Sequence, residues 1–240
     1  MTTSTLLLAP GLMCDATAWQ AQIDALSPRM KVEVIDYGAL DSLPAMARHL
    51  LDNGPERFAL AGHSMGGRVA LEVMRIAPER VTHLALLDTG CHAIAQGDAA
   101  EKERTMRLGF QKLAEEQGVA AMARSWLRNM VHPARLTDKA LVDAIASMFA
   151  RKPVVIYAAQ IAALLARPEA FPVLATIRCP TLVLTGNEDQ NSPPAANQEM
   201  ADAIAAGTLT VLPECGHMTL MERPEAVNTA LVKWLEIIPT

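Results

Sequence analysis

Short runs of apolar, β-favouring residues recur along the chain at 5–9, 32–35, 58–61, 84–87, 181–185 and 209–212. Between most of them lie longer segments, 15–26, 44–51, 65–77, 194–205 and 224–237, in which apolar side chains return every three or four positions. A short continuous apolar run suits a strand buried on both faces, and the three-to-four spacing lays one stripe of a helix against it. The alternation predicts an α/β fold, with a mostly parallel central sheet flanked by helices on both faces.

That rhythm stops between about 92 and 171, where Met, Ala, Leu and charged residues dominate and no run reads as a strand. Arg151-Lys152-Pro153 and Arg167-Pro168 divide the segment into helix-favouring pieces at 102–116, 119–129, 137–149 and 153–166. The expectation is a core built from 1–91 and 172–240, with 92–171 as a helical cap over it.

Composition narrows the function. The 240 residues are enough for one α/β domain with an insertion. Lys and Arg number 21 against 26 Asp and Glu, and the charges are scattered, so no nucleic-acid surface is expected. Cys14, Cys91, Cys179 and Cys215 show neither paired spacing nor His neighbours suited to zinc, and are expected to be free thiols with no metal site. The opening MTTSTLLLAPG has no basic region and only a short apolar run, and no stretch reaches membrane-spanning length. A cytoplasmic protein with no membrane partner is expected.

The candidate chemistry lies at Gly62-His63-Ser64-Met65-Gly66, between the apolar run at 58–61 and the helical segment that follows. In this strand–turn–helix context a G-x-S-x-G sequence places the serine on a strained turn, and its neighbours two residues away must be small. Helix N-H groups starting at Met65 face the position where negative charge would develop on an attacked carbonyl oxygen. No Gly-Lys-Ser/Thr follows, as a phosphate-binding loop would require.

A serine needs a base, and the base needs a group to orient it. Of six histidines, His217 follows the last strand-like run, on a loop able to turn back over the sheet edge. Asp189 lies just beyond the run at 181–185, which gives the chain order serine, acid, histidine. Glu188 and Asp88 are the rival carboxylates.

LLLAPGLMCDATAWQ, LAGHSMGGRVALEV, IRCPTLVLTGNEDQNSPP and LPECGHMTLMERPEAV each follow the appropriate strand, and together they resemble the α/β-hydrolase superfamily, specifically its small capped esterase and lactonase-like members. The resemblance implies Ser64 as nucleophile, His217 as general base and then acid, and Asp189 as the orienting carboxylate. It also implies an oxyanion hole from the backbone N-H groups of Met65 and Leu12, with Met13 the neighbouring alternative. Pro10-Gly11 stands where many members have His-Gly.

The implied activity is cleavage of a small or medium carboxylic ester, a small-molecule substrate, through an acyl-serine and without a cofactor. Enol-lactone or carbon–carbon bond hydrolysis uses the same machinery, and a ligand receptor that keeps the triad is the reading from another class. Ser rather than Asp at the elbow argues against the dehalogenase and epoxide hydrolase branches. Candidate pocket residues are Leu12, Met13, Met65, Met122, Trp126, Met130, Met148 and Tyr157. Arg124, Arg128 and Arg167 are the cations weighed against a substrate carboxylate, with solvated charge as their expected role.

Overall fold

The computed structural model describes residues 5–238; Met1 to Ser4 of the opening segment lie outside the described residues. Six strands form one sheet: β1 (Thr5–Ala9), β2 (Lys31–Val34), β3 (Phe58–His63), β4 (Val81–Leu87), β5 (Thr181–Gly186) and β6 (Gly207–Leu212). Their order is β2-β1-β3-β4-β5-β6, and every pairing is parallel. The strands fall where the apolar runs predicted them, with β3, β4 and β6 extended by two or three residues. β1, β3 and β5 are buried at every position, whereas β2 and β6, at the two edges, are largely half-exposed. Strands covered on both faces carry continuous apolar sequence, which is why they stand out in the chain.

The helices are α1 (Gln20–Leu26), α2 (Leu43–Asn53), α3 (Met65–Ile76), α4 (Asp98–Gln117), α5 (Val119–Trp126), α6 (Lys139–Ala150), α7 (Val154–Leu165), α8 (Phe171–Leu174), α9 (Pro194–Ala203), α10 (Thr219–Glu222) and α11 (Pro224–Leu235). α2 packs on α3, α3 on β1, β3 and β4, and α8 joins α3 to α9; α11 packs on β4, β5 and α1. The buried faces of α2 and α3 recur at helical spacing, at Met46, Leu50, Val69 and Val73. α2 starts cleanly because the Ser42 hydroxyl accepts from the Ala45 amide and Pro44 occupies the first turn.

All of α4 to α8 lie between β4 and β5. α4 packs on α5 and α7, and α5 on α6. Polar contacts tie this insertion to the loop after β1: Arg151 pairs with Asp15 at 2.8 Å, and Lys152 donates to the Cys14 carbonyl. No single helix among the described residues is long and apolar enough to cross a membrane.

In a parallel sheet every strand ends at the same edge. The loops after β1, β3, β4, β5 and β6 therefore collect there, carrying Leu12, Ser64, Asp88, Asp189 and His217. β1 and β3 are neighbours whose connections leave in opposite directions, the topological switch where such sheets open a crevice.

Candidate active site

β3 ends at His63 and α3 begins at Met65, leaving one residue to turn the chain. Ser64 does so at φ 54°, ψ −115°, a backbone conformation that costs a side-chain-bearing residue of order 1–3 kcal/mol. Its neighbours explain how the turn closes. A Cβ on Gly62 would stand 2.4 Å from the Gly66 carbonyl oxygen, and one on Gly66 only 1.9 Å from that of Ala9. The turn is tied down by the Ser64 amide donating to the Leu87 carbonyl at 2.9 Å and the Thr89 hydroxyl donating to the Ser64 carbonyl at 2.7 Å.

His217, almost completely buried on the loop after β6, bridges the serine and an acid. Its Nε2 lies 2.8 Å from Ser64 Oγ and its Nδ1 2.8 Å from Asp189 Oδ2. An ionised carboxylate can only accept, so Nδ1 carries the proton and Nε2 is left to accept from the serine hydroxyl. The other Asp189 oxygen accepts from the amides of Asn191 at 2.8 Å and Ser192 at 2.9 Å. Burial works against the Asp189 charge, but His217 and these amides outweigh it and hold the carboxyl below the usual range.

The rival carboxylates do not face the ring. Glu188 accepts from the Cys215 amide at 3.1 Å and stands 3.7 Å from His132. Asp88 is fully buried, accepts from the Gly186 amide at 3.2 Å and from the Thr219 hydroxyl, and lies 3.4 Å from His63. It ties together the ends of β4 and β5 and the start of α10.

Two buried groups to which the sequence reading gave no role, Glu222 and His63, contact this loop. Glu222 Oε1 accepts from the amides of Gly216 at 3.1 Å and Met218 at 3.2 Å, the residues either side of His217, while Oε2 accepts from the His132 amide at 2.8 Å. Burial nevertheless pushes the Glu222 carboxyl up. His63 Nε2 reaches the His217 carbonyl at 2.9 Å. Neither has a signal in hydrophobic period; both act through backbone atoms brought close only by the fold.

Among the described residues the amides of Leu12 and Met65 donate to no protein acceptor, and both residues line a cavity of about 70 Å³ together with Ser64 and His217. The Met13 amide is committed: it donates to Gln160 Oε1 of α7 at 2.8 Å, with Met13 at φ 60°. Of the two alternatives on this loop, Leu12 has the available N-H.

Trp126 and Met130 also line the cavity, but Met13, Met122, Met148 and Tyr157 do not. Those four are buried in the core, and Tyr157 donates its hydroxyl to the Arg107 carbonyl at 3.2 Å. Arg124 and Arg128 are exposed, and Arg124 stands 3.5 Å from Asp143. Arg167 is buried against Glu103, with both Nη atoms 2.7 Å from its carboxylate oxygens. The cations that do reach the cavity are Arg68 and Arg107. A larger hollow of about 260 Å³ between Leu26, Thr82 and Glu236 contains no such constellation. Among the described residues no group of three or more His, Cys, Asp or Glu side chains is arranged to hold a metal ion.

A family model described as alpha/beta hydrolase family matches residues 6–230. The chain is 28% identical over 262 residues to an (E)-2-((N-methylformamido)methylene)succinate hydrolase of Acinetobacter baylyi, across 98% of this chain and 91% of that protein. Its fold superposes on a thermophilic esterase from Thermogutta terrifontis, solved with malate bound, with a TM-score of 0.84 at 28% identity, covering 100% of this chain and 92% of the other. An enol-lactonase from Burkholderia xenovorans LB400 shares the fold with a TM-score of 0.84 at 21% identity, over 99% and 93% of the two chains.

Proposed function

As this chain belongs to the alpha/beta hydrolase family, we propose that it is a serine hydrolase that cleaves a small or medium carboxylic ester through an acyl-Ser64 intermediate. The observation that carries the reading is the continuous relay from Ser64 Oγ through His217 to Asp189, with both links at 2.8 Å. The resemblance to proteins named as a hydrolase and an esterase agrees with it.

In this reading His217 Nε2 removes the hydroxyl proton as Ser64 Oγ attacks the ester carbonyl. The oxyanion accepts hydrogen bonds from the Leu12 and Met65 amides, which are fixed before the reaction and need no reorganisation during it. His217 then gives its proton to the departing alcohol. A water, deprotonated by the same nitrogen, attacks the acyl-enzyme and releases the acid. Asp189 keeps the imidazole in the tautomer that leaves Nε2 free and stabilises the imidazolium. Nucleophile, base and electrostatic donors all come from the chain, so these steps call on no cofactor.

The helices between β4 and β5 act as the cap. Met106, Arg107, Trp126, Met130 and Leu164 from that region share the cavity lining with Ser64, so the insertion sets the shape of the acyl group. A lactone is an ester closed on itself, and the same relay opens it.

The test is hydrolysis of p-nitrophenyl esters of increasing acyl length by the wild type and Ser64→Ala. The expected result is wild-type turnover with an initial burst of p-nitrophenolate, and loss of about 10⁴-fold or more in kcat for the variant. Comparable rates for both proteins would reject the acyl-Ser64 mechanism.

A further inference from the structure

Arg68 lies on the first turn of α3, four residues after Ser64, and both line the same cavity with His217. Ser64 caps that helix at φ 54°, and its carbonyl accepts from the Arg68 amide at 3.3 Å, so a single turn of backbone separates the two residues that share the cavity lining. Arg68 donates Nη1 to the His92 carbonyl at 2.8 Å and pairs with no carboxylate among the described residues. Arg107, from α4, lines the same cavity.

The charge around these two is not balanced. Arg107 Nε donates to Glu103 at 2.8 Å, but Glu103 is already held by both Nη atoms of Arg167. Arg68 adds a third guanidinium beside one carboxylate. Burial pushes Arg68 down to about 10, and Arg167 adds to that effect. Arg68 is half-buried, and the hydration it loses without a carboxylate partner is regained in part when an anion enters to pair with it.

We infer that Arg68 and Arg107 form an anion-binding subsite of the Ser64 cavity, and that the preferred substrate is an ester whose acyl chain ends in a carboxylate. The inference rests on the acyl-Ser64 reading and adds a substrate class to it. The guanidinium fork matches a carboxylate with two parallel hydrogen bonds. The small cavity and the single helical turn between Ser64 and Arg68 place that carboxylate a few carbons from the scissile carbonyl, the length of a short dicarboxylic monoester.

The experiment compares kcat/KM for mono-4-nitrophenyl glutarate with that for 4-nitrophenyl pentanoate, its uncharged counterpart of equal acyl length. The wild type is expected to favour the charged ester by about tenfold or more, in line with one or two charge-assisted hydrogen bonds. Arg68→Gln and Arg107→Gln should each remove most of that preference, chiefly through KM, and Arg68→Lys should retain part of it. Circular dichroism establishes that each variant is folded; should Arg68→Gln fail to fold, Arg107→Gln and Arg68→Lys carry the comparison.

Equal or better turnover of the neutral ester by the wild type, or a preference that survives both Gln substitutions, overturns the subsite. Calorimetric titration of monomethyl glutarate into Ser64→Ala, with and without Arg68→Gln, separates this inference from the hydrolase reading. Arg68-dependent binding with neither ester cleaved rejects the hydrolase reading and keeps the subsite. Cleavage of both esters without preference or Arg68-dependent binding does the reverse.

Discussion

Asp189 accepts the Nδ1 proton of His217 at 2.8 Å, whereas Asp88, equally buried and on the neighbouring strand end, touches Gly186, Thr219 and His63 instead. Two carboxylates so close in the fold have separable tasks. Asp189→Asn presents an amide where the imidazole needs an acceptor, favouring the wrong tautomer, and should lower kcat by about 10⁴-fold with little change in melting temperature. Asp88→Asn should do the opposite, keeping activity within about tenfold while costing about 1–3 kcal/mol of stability through its buried bonds. Steady-state kinetics and thermal melts on the pair decide; a larger kinetic loss for Asp88→Asn would move the orienting role to that residue.

The elbow makes a second expectation. Any Cβ at position 66 lies 1.9 Å from the Ala9 carbonyl oxygen, a backbone atom of a fully buried strand that cannot swing aside. Gly66→Ala should therefore destabilise the protein by at least about 3 kcal/mol or prevent soluble expression. Denaturant unfolding gives the number, and a loss under about 1 kcal/mol would mean that the strand end yields more than its packing implies.

Much of this arrangement is legible in the chain, and the division follows burial. β1, β3 and β5 are buried at every position, so they read as nearly continuous apolar runs, and the candidate residues Ser64 and Asp189 directly follow two of them; His217 follows β6, a half-exposed edge strand with a shorter apolar run. The pocket is harder to read. α6 and α7 are apolar around most of their circumference, so helical period does not separate the face toward Ser64 from the face toward the core, and Met148 and Tyr157 go to the core. Arg68 follows the glycines of the elbow and Arg107 lies in a highly charged helix, and nothing in either stretch marks them as neighbours; the fold brings both to the cavity beside Ser64.

Glu103 offers a test by pH. Burial opposes its charge, but Arg167 and Arg107 outweigh that and lower the carboxyl to about 2. Because the folded value lies below the ordinary 4.5, the pair's contribution is present above the unfolded pKa and fades as pH falls toward the folded one. Glu103→Gln should thus lower the melting temperature at neutral pH, leaving Arg167 enclosed without its partner. The gap to wild type should narrow between about pH 5 and about pH 3. The side chain is partly exposed, so solvent screens the effect and the shift is modest. A gap that widens on acidification would contradict the ion pair as the source.

Gln160 ties the insertion to the loop after β1, the loop proposed to supply an oxyanion donor. Its Oε1 takes the Met13 amide at 2.8 Å, both groups are buried, and Met13 holds φ 60°, so the loop after β1 keeps a conformation it would otherwise leave. This contact commits the Met13 amide and leaves the neighbouring Leu12 amide as the proposed oxyanion donor. Gln160→Met preserves length and apolar packing but strands the amide, at a cost of about 1–3 kcal/mol in stability. Because a misaimed oxyanion donor is worth about 10²–10³ in kcat, the kinetic loss should fall mainly on kcat and leave KM nearly unchanged. Measured with p-nitrophenyl esters, an unchanged kcat alongside the expected drop in melting temperature would show that Gln160 serves only the packing of α7 on the core. A drop in both would make the insertion a working part of the oxyanion site as well as its roof.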